Sequence, residues 1–78
     1  MNRYKVRAHA NLRHYLPGAK EESLVESERP LSVRALLERL GIPESEVMTV
    51  SVGGEALQPE RLIAQDCEVE LFPVISGG

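Results

Sequence analysis

From Arg3 to Ala10 apolar and polar positions alternate strictly, with Tyr4, Val6, Ala8 and Ala10 on one side of an extended backbone and Arg3, Lys5, Arg7 and His9 on the other. A period of two predicts a strand with one buried face. Directly after it, Asn11 is suited to cap a short helical turn carrying Leu12, Tyr15 and Leu16, which Pro17 and Gly18 then stop. A weaker strand is expected from Glu22 to Ser27, around Leu24 and Val25.

The period then lengthens to that of a helix. Ser32 is a good N-cap, Leu31 before it and Leu36 after it can close a hydrophobic staple, and Val33, Leu36, Leu37 and Leu40 form one apolar stripe. Gly41 supplies a left-handed stop and Pro43 forbids continuation, which leaves a helix of about ten residues. Its stripe requires a sheet to lie on.

Met48 to Val52 reads as a strand ending at Gly53-Gly54, a pair suited to a two-residue hairpin, with Glu55 to Leu57 returning. After a turn near Gln58-Pro59, Cys67 to Phe72 alternates again, placing Cys67, Val69 and Leu71 on one side and Glu68, Glu70 and Phe72 on the other. The outward charges of the first and last strands are complementary, Lys5 and Arg7 against Glu68 and Glu70, which favours placing those strands side by side. The predicted class is α+β, a mixed sheet of four to five strands packed on one main helix.

With 78 residues, 42% of them hydrophobic and 27% charged, the chain is expected to fold as one domain over 1–78, too small to enclose a catalytic cavity of its own. A formal net charge of -3 argues against binding a nucleic-acid backbone. The N-terminus alternates charge with apolar residues and lacks the apolar core of a signal peptide, and no apolar run approaches membrane-spanning length. Cys67 is the only cysteine and closes no internal disulfide, so a reducing cytoplasm is the expected setting.

Residue chemistry excludes more than it offers. Asp66 is the only aspartate and stands in a turn far in sequence from His9 and His14, which does not make a charge relay. The two histidines, five apart, lack the spacing of a helical metal pair and read as solvated. Cys67 falls on the Val69-Leu71 face, where a thiol packs as a small hydrophobe. Gly53-Gly54 has no lysine and no following helix, so it is a turn and not a phosphate loop.

The C-terminal residues Ser76-Gly77-Gly78 are different in kind. Glycines without Cβ atoms let an extended, flexible tail enter a channel too narrow for side chains and bring a carboxylate to another protein's reaction centre. Ordering it costs about 1 to 2 kcal/mol per residue, which docking of the folded body must offset.

These features together resemble the MoaD/ThiS family of small sulfur carriers, ubiquitin-like proteins of β-grasp fold. The resemblance rests on Val6-Arg7-Ala8 with Asn11-Leu12-Arg13, on Leu31-Ser32-Val33 with Leu36-Leu37 and Leu40-Gly41, and on Glu68-Val69-Glu70-Leu71-Phe72-Pro73 followed by Ser76-Gly77-Gly78. It implies a non-catalytic carrier with no cofactor of its own. An E1-like partner uses ATP to adenylate Gly78, and sulfur, from a donor such as a cysteine desulfurase, displaces AMP to leave a thiocarboxylate. That sulfur then passes to a synthase subunit. It also implies docking through Phe72, with Val74 and Ile75 guiding the tail and Ser76 and Gly77 threading it.

Three positions depart from the family pattern: Gly53-Gly54 stands where Asn-Gly is usual, Gln65-Asp66-Cys67 where Asp-Gly-Asp is usual, and Pro73-Val74-Ile75 lies between the endings of the molybdopterin and thiazole carriers. The long first strand and the Asn11 to Leu16 turn resemble the molybdopterin branch, so the small subunit of molybdopterin synthase is expected. A thiamine thiazole carrier and a ubiquitin-like modifier conjugated through Gly78 are the alternatives.

Overall fold

A computed structural model describes residues 1–74 of the chain. The alternating segments become β1 (Asn2–Ala8), β2 (Glu22–Ser27), β4 (Val47–Val52), β5 (Glu55–Leu57) and β7 (Cys67–Pro73), with two-residue strands β3 (Leu31–Ser32) and β6 (Leu62–Ile63) and one helix, α1 (Val33–Leu40). The five longer strands form one sheet in the order β2-β1-β7-β4-β5. β1 and β7 are neighbours, as the complementary charges predict; the structure shows that they run parallel, in register Lys5 to Glu68 and Arg7 to Glu70, while the other pairings of this sheet are antiparallel.

One face of the sheet carries the core. Tyr4, Val6 and Ala8 from β1, Val25 from β2, Val50 from β4 and Val69 and Leu71 from β7 are buried in one cluster with Val33, Leu36 and Leu37 of α1. Leu12, Leu16, Ile42 and Ile63 close its margins. Burial is the main favourable contribution to folding at this size.

The helix ends are built as the caps predict. Ser32 Oγ accepts the Ala35 N–H at 3.0 Å, and Leu31 packs against the cluster that contains Leu36. Gly41 adopts φ 74° and ψ 24°, and the Ile42 N–H returns to the Leu37 carbonyl at 2.9 Å. The first-turn amides, which have no intrahelical partner, are bound from outside the helix. Val33 N–H donates to Arg61 O at 3.0 Å and Arg34 N–H to Pro59 O at 2.9 Å. At the hairpin, φ is 60° at Gly53 and 84° at Gly54, the sign a two-residue turn with Val52 opposite Glu55 requires.

Three expectations are corrected. β1 stops at Ala8 because its ladder with β7 ends at Ala8 opposite Leu71. Beyond it the His9 N–H donates to Leu71 O and the Leu12 N–H to His9 O, which turns the chain and leaves Ala10 exposed at φ 53°. Asn11 is not the cap: His9 holds that place without a side-chain bond, and the turn from Ala10 to Tyr15 is a 3-10 helix in which Leu12 is buried while Tyr15 is exposed. α1 has eight residues rather than about ten.

Candidate functional site

β7 lies in the middle of the sheet, between β1 and β4, and runs toward the C-terminal residues. Its end is fastened on the β4 side, where the Val74 N–H donates to Glu46 O at 3.1 Å and Pro73 is opposite Val47. Phe72 is opposite Thr49, so Met48 between them is an extra residue, a β-bulge, and its side chain is exposed. Val74 is 50% exposed. Ile75, Ser76, Gly77 and Gly78 lie outside the described residues, and the roles expected of them are taken up below.

Phe72 is on the outer sheet face as alternation predicts, but it is half-buried rather than freely exposed. Its ring is stacked on the His9 imidazole, with centroids 4.5 Å apart and planes within 5°. His9 in turn points Nε2 at Glu70 Oε2, 3.1 Å away, with the imidazole N–H as donor to the carboxylate. Three residues that sequence reasoning treated separately therefore form one assembly at the base of the C-terminal segment. Their registers carry the signal in retrospect: Glu70 and Phe72 are two apart on β7, and His9 follows the β1 residue that pairs with Leu71.

The remaining outer face is a ladder of charge. Arg3 faces Glu26 at 3.2 Å and Lys5 faces Glu22 at 3.5 Å. Arg7 holds Glu22 at 2.5 Å and stands only 4.0 Å from Glu68. The attraction expected between β1 and β7 is thus largely answered by β2, whose Glu22 has the shortest contacts. The hydrogen bond from Arg7 holds the Glu22 carboxyl below the usual glutamate range, with the charges of Lys5 and Arg7 assisting against partial desolvation. A folded-state value below the unfolded one stabilises the protein above the unfolded pKa, and this contribution disappears as pH falls through the folded value. Glu22→Gln is therefore expected to flatten the acid limb of stability below about pH 4, by a small amount because the pair is exposed. Urea midpoints measured across that range test it; parallel curves for variant and parent would refute the assignment.

Other candidates settle into structural roles. Cys67 is packed against the core, and burial, then the neighbouring Asp66 charge, pushes its thiol upward, away from a nucleophile's needs. Asp66 Oδ1 accepts the Arg3 N–H at 2.8 Å, tying the start of β1 to the start of β7. Among the described residues no three His, Cys, Asp or Glu side chains converge as metal ligands, and no helix is long and apolar enough to cross a membrane.

Comparison with known proteins places this arrangement. The structure of SAMP1 from Haloferax volcanii is similar to the chain with a TM-score of 0.71 at 23% identity, over 99% of this chain and 100% of that one. A protein from Pyrococcus furiosus provisionally named molybdopterin converting factor, subunit 1, is similar with a TM-score of 0.74 at 19% identity, over 96% of this chain and 100% of that one. At these identities the likeness shows the fold, a β-grasp. No curated protein sequence matches significantly. The sequence model of the ThiS family matches residues 8–78, from the end of β1 through Gly78. The chain belongs to the ThiS family and is a ubiquitin-like small sulfur carrier of the ThiS/MoaD type.

Proposed function

We propose that Gly78 is the reacting residue of this carrier. An E1-like partner adenylates its carboxylate with ATP, releasing pyrophosphate. A sulfide equivalent, from a donor such as a cysteine desulfurase, then attacks the acyl carbon; AMP leaves and a thiocarboxylate remains. The chain is the co-substrate, binds no cofactor of its own, and the groups that catalyse these steps belong to the partner in the cytoplasm. The destination is molybdopterin, with this chain as the small subunit of the synthase. The persistence of a long β1 and the following turn, with the likeness to the Pyrococcus protein, supports that branch over the thiazole one.

The observation that carries the reading is the family match running through Gly78, together with the anchoring of Val74 to the body. Four residues, 75–78, extend at most about 14 Å beyond Val74. A partner that reaches the Gly78 carboxylate must therefore close over the surface around Phe72 and Val74, while Ile75 guides the segment and Ser76 and Gly77 thread it.

Incubation of the protein with ATP, a candidate activating enzyme and a sulfur donor, followed by intact-mass analysis, tests the proposal. A shift matching one oxygen replaced by sulfur is expected, and transfer of that sulfur to a molybdopterin precursor identifies the branch. Conjugates of higher mass, joined to lysines of other proteins, would favour a modifier instead. Phe72→Ala is expected to raise the KM of activation for the carrier about tenfold. It should cost only about 1 kcal/mol of stability, because the ring is half-buried and loses chiefly its stacking partner. A large fall in melting temperature would place the ring in the core.

A further inference from the structure

We infer that His9 is a positioning residue for docking: held by Glu70, it fixes the Phe72 ring as one rigid plate with its own imidazole, and the activating partner reads the Phe72 ring of that plate. This rests on the proposed function, since it presumes that Phe72 meets the partner. The geometry points to it through three independent attachments. The His9 backbone is bound to β7 by its N–H to Leu71 O at 3.0 Å. Its imidazole is bound to β7 by Glu70 at 3.1 Å. Its flat face is matched to Phe72 within 5°.

An aromatic ring on an open sheet face ordinarily samples several rotamers, and ordering it on association lowers affinity. Here one face of Phe72 is already covered, and the covering residue cannot turn away without losing the carboxylate. With Val74 tied to Glu46, the plate stands at a set distance from the start of the C-terminal residues. The His9 and Glu70 side chains are each 37% exposed, so a partner that covers Phe72 covers them too. The partner chemistry that fits is an apolar side chain laid against the uncovered part of the Phe72 ring, bordered by a polar group that keeps the Glu70 carboxylate hydrogen-bonded once water is excluded.

The test uses the whole chain and an activating enzyme that has been shown to adenylate the parent protein. His9→Ala should raise the KM for the carrier about fivefold, leave kcat within about twofold, and leave the melting temperature near that of the parent. His9→Phe, which keeps a flat ring but loses the bond to Glu70, should restore only part of that loss. In a double-mutant cycle His9→Ala should add little to Phe72→Ala, because it acts through the same ring. An unchanged KM for His9→Ala, a defect confined to kcat, or full additivity with Phe72→Ala would overturn the inference while the sulfur-carrier reading stood. Failure of the parent protein to be adenylated by any candidate enzyme would instead remove that reading, and the inference with it.

Discussion

A chain carrying one alanine after Gly78 is expected to keep the parent melting temperature and to lose adenylation by more than about a hundredfold. The reason is positional and chemical at once. In the proposed reaction a carboxylate oxygen attacks the α-phosphorus of ATP, and in the extended chain the carbonyl of Gly78 is an amide with no anionic oxygen to offer. The new carboxylate is displaced by one residue, about 3.5 Å, from the point set by the docked body. Its Cα also bears a methyl group where Gly78 has hydrogen, in a channel argued to admit only glycine. Pyrophosphate exchange measures the loss, and thermal unfolding in parallel shows that the β-grasp body is intact. An extended protein that is adenylated at the parental rate would remove Gly78 from the mechanism.

The parts of this architecture that were readable from sequence are those governed by local rules. Strict alternation marks β1 and β7 because a pleated backbone sends successive side chains to opposite faces, and both segments have one face in the core. Ser32 and Gly41 mark α1 because each satisfies a helix end with groups only a few residues away. What was not readable depends on partners distant along the chain. The pairing of β3 with β6 involves two residues on each strand and has no period to detect. The end of β1 is decided by where Leu71 ceases to pair, which no pattern within residues 3 to 10 contains. The same holds at the candidate site: alternation placed Phe72 on the outer face, but its cover by His9 follows from the parallel register of two strands at opposite ends of the sequence.

Tyr4 shows the same limit most sharply, and replacing it is expected to produce the largest loss of stability among the substitutions considered. Alternation assigns it to the apolar face, and its ring is fully buried, yet its hydroxyl donates to Ile63 O at 2.6 Å and accepts the Leu31 N–H at 3.1 Å. It therefore joins β1 in the main sheet to both strands of the small one, immediately before the cap of α1. Tyr4→Phe keeps the ring and deprives the part-buried Leu31 N–H and the buried Ile63 carbonyl of a partner, a cost of about 1 to 3 kcal/mol. Tyr4→Ala adds the lost ring burial and a cavity among Val6, Val33 and their neighbours, about 3 to 5 kcal/mol. For a domain of this size each kcal/mol lowers the melting temperature by about 4 to 8 °C, so the alanine variant should be largely unfolded under conditions where the phenylalanine variant is folded. Hydrogen exchange separates the two contributions in the phenylalanine variant: the Leu31 and Val33 amides should lose protection more than those of Val6 and Val69. Uniform loss across all four would mean that the hydroxyl supports the whole core rather than the junction between the sheets.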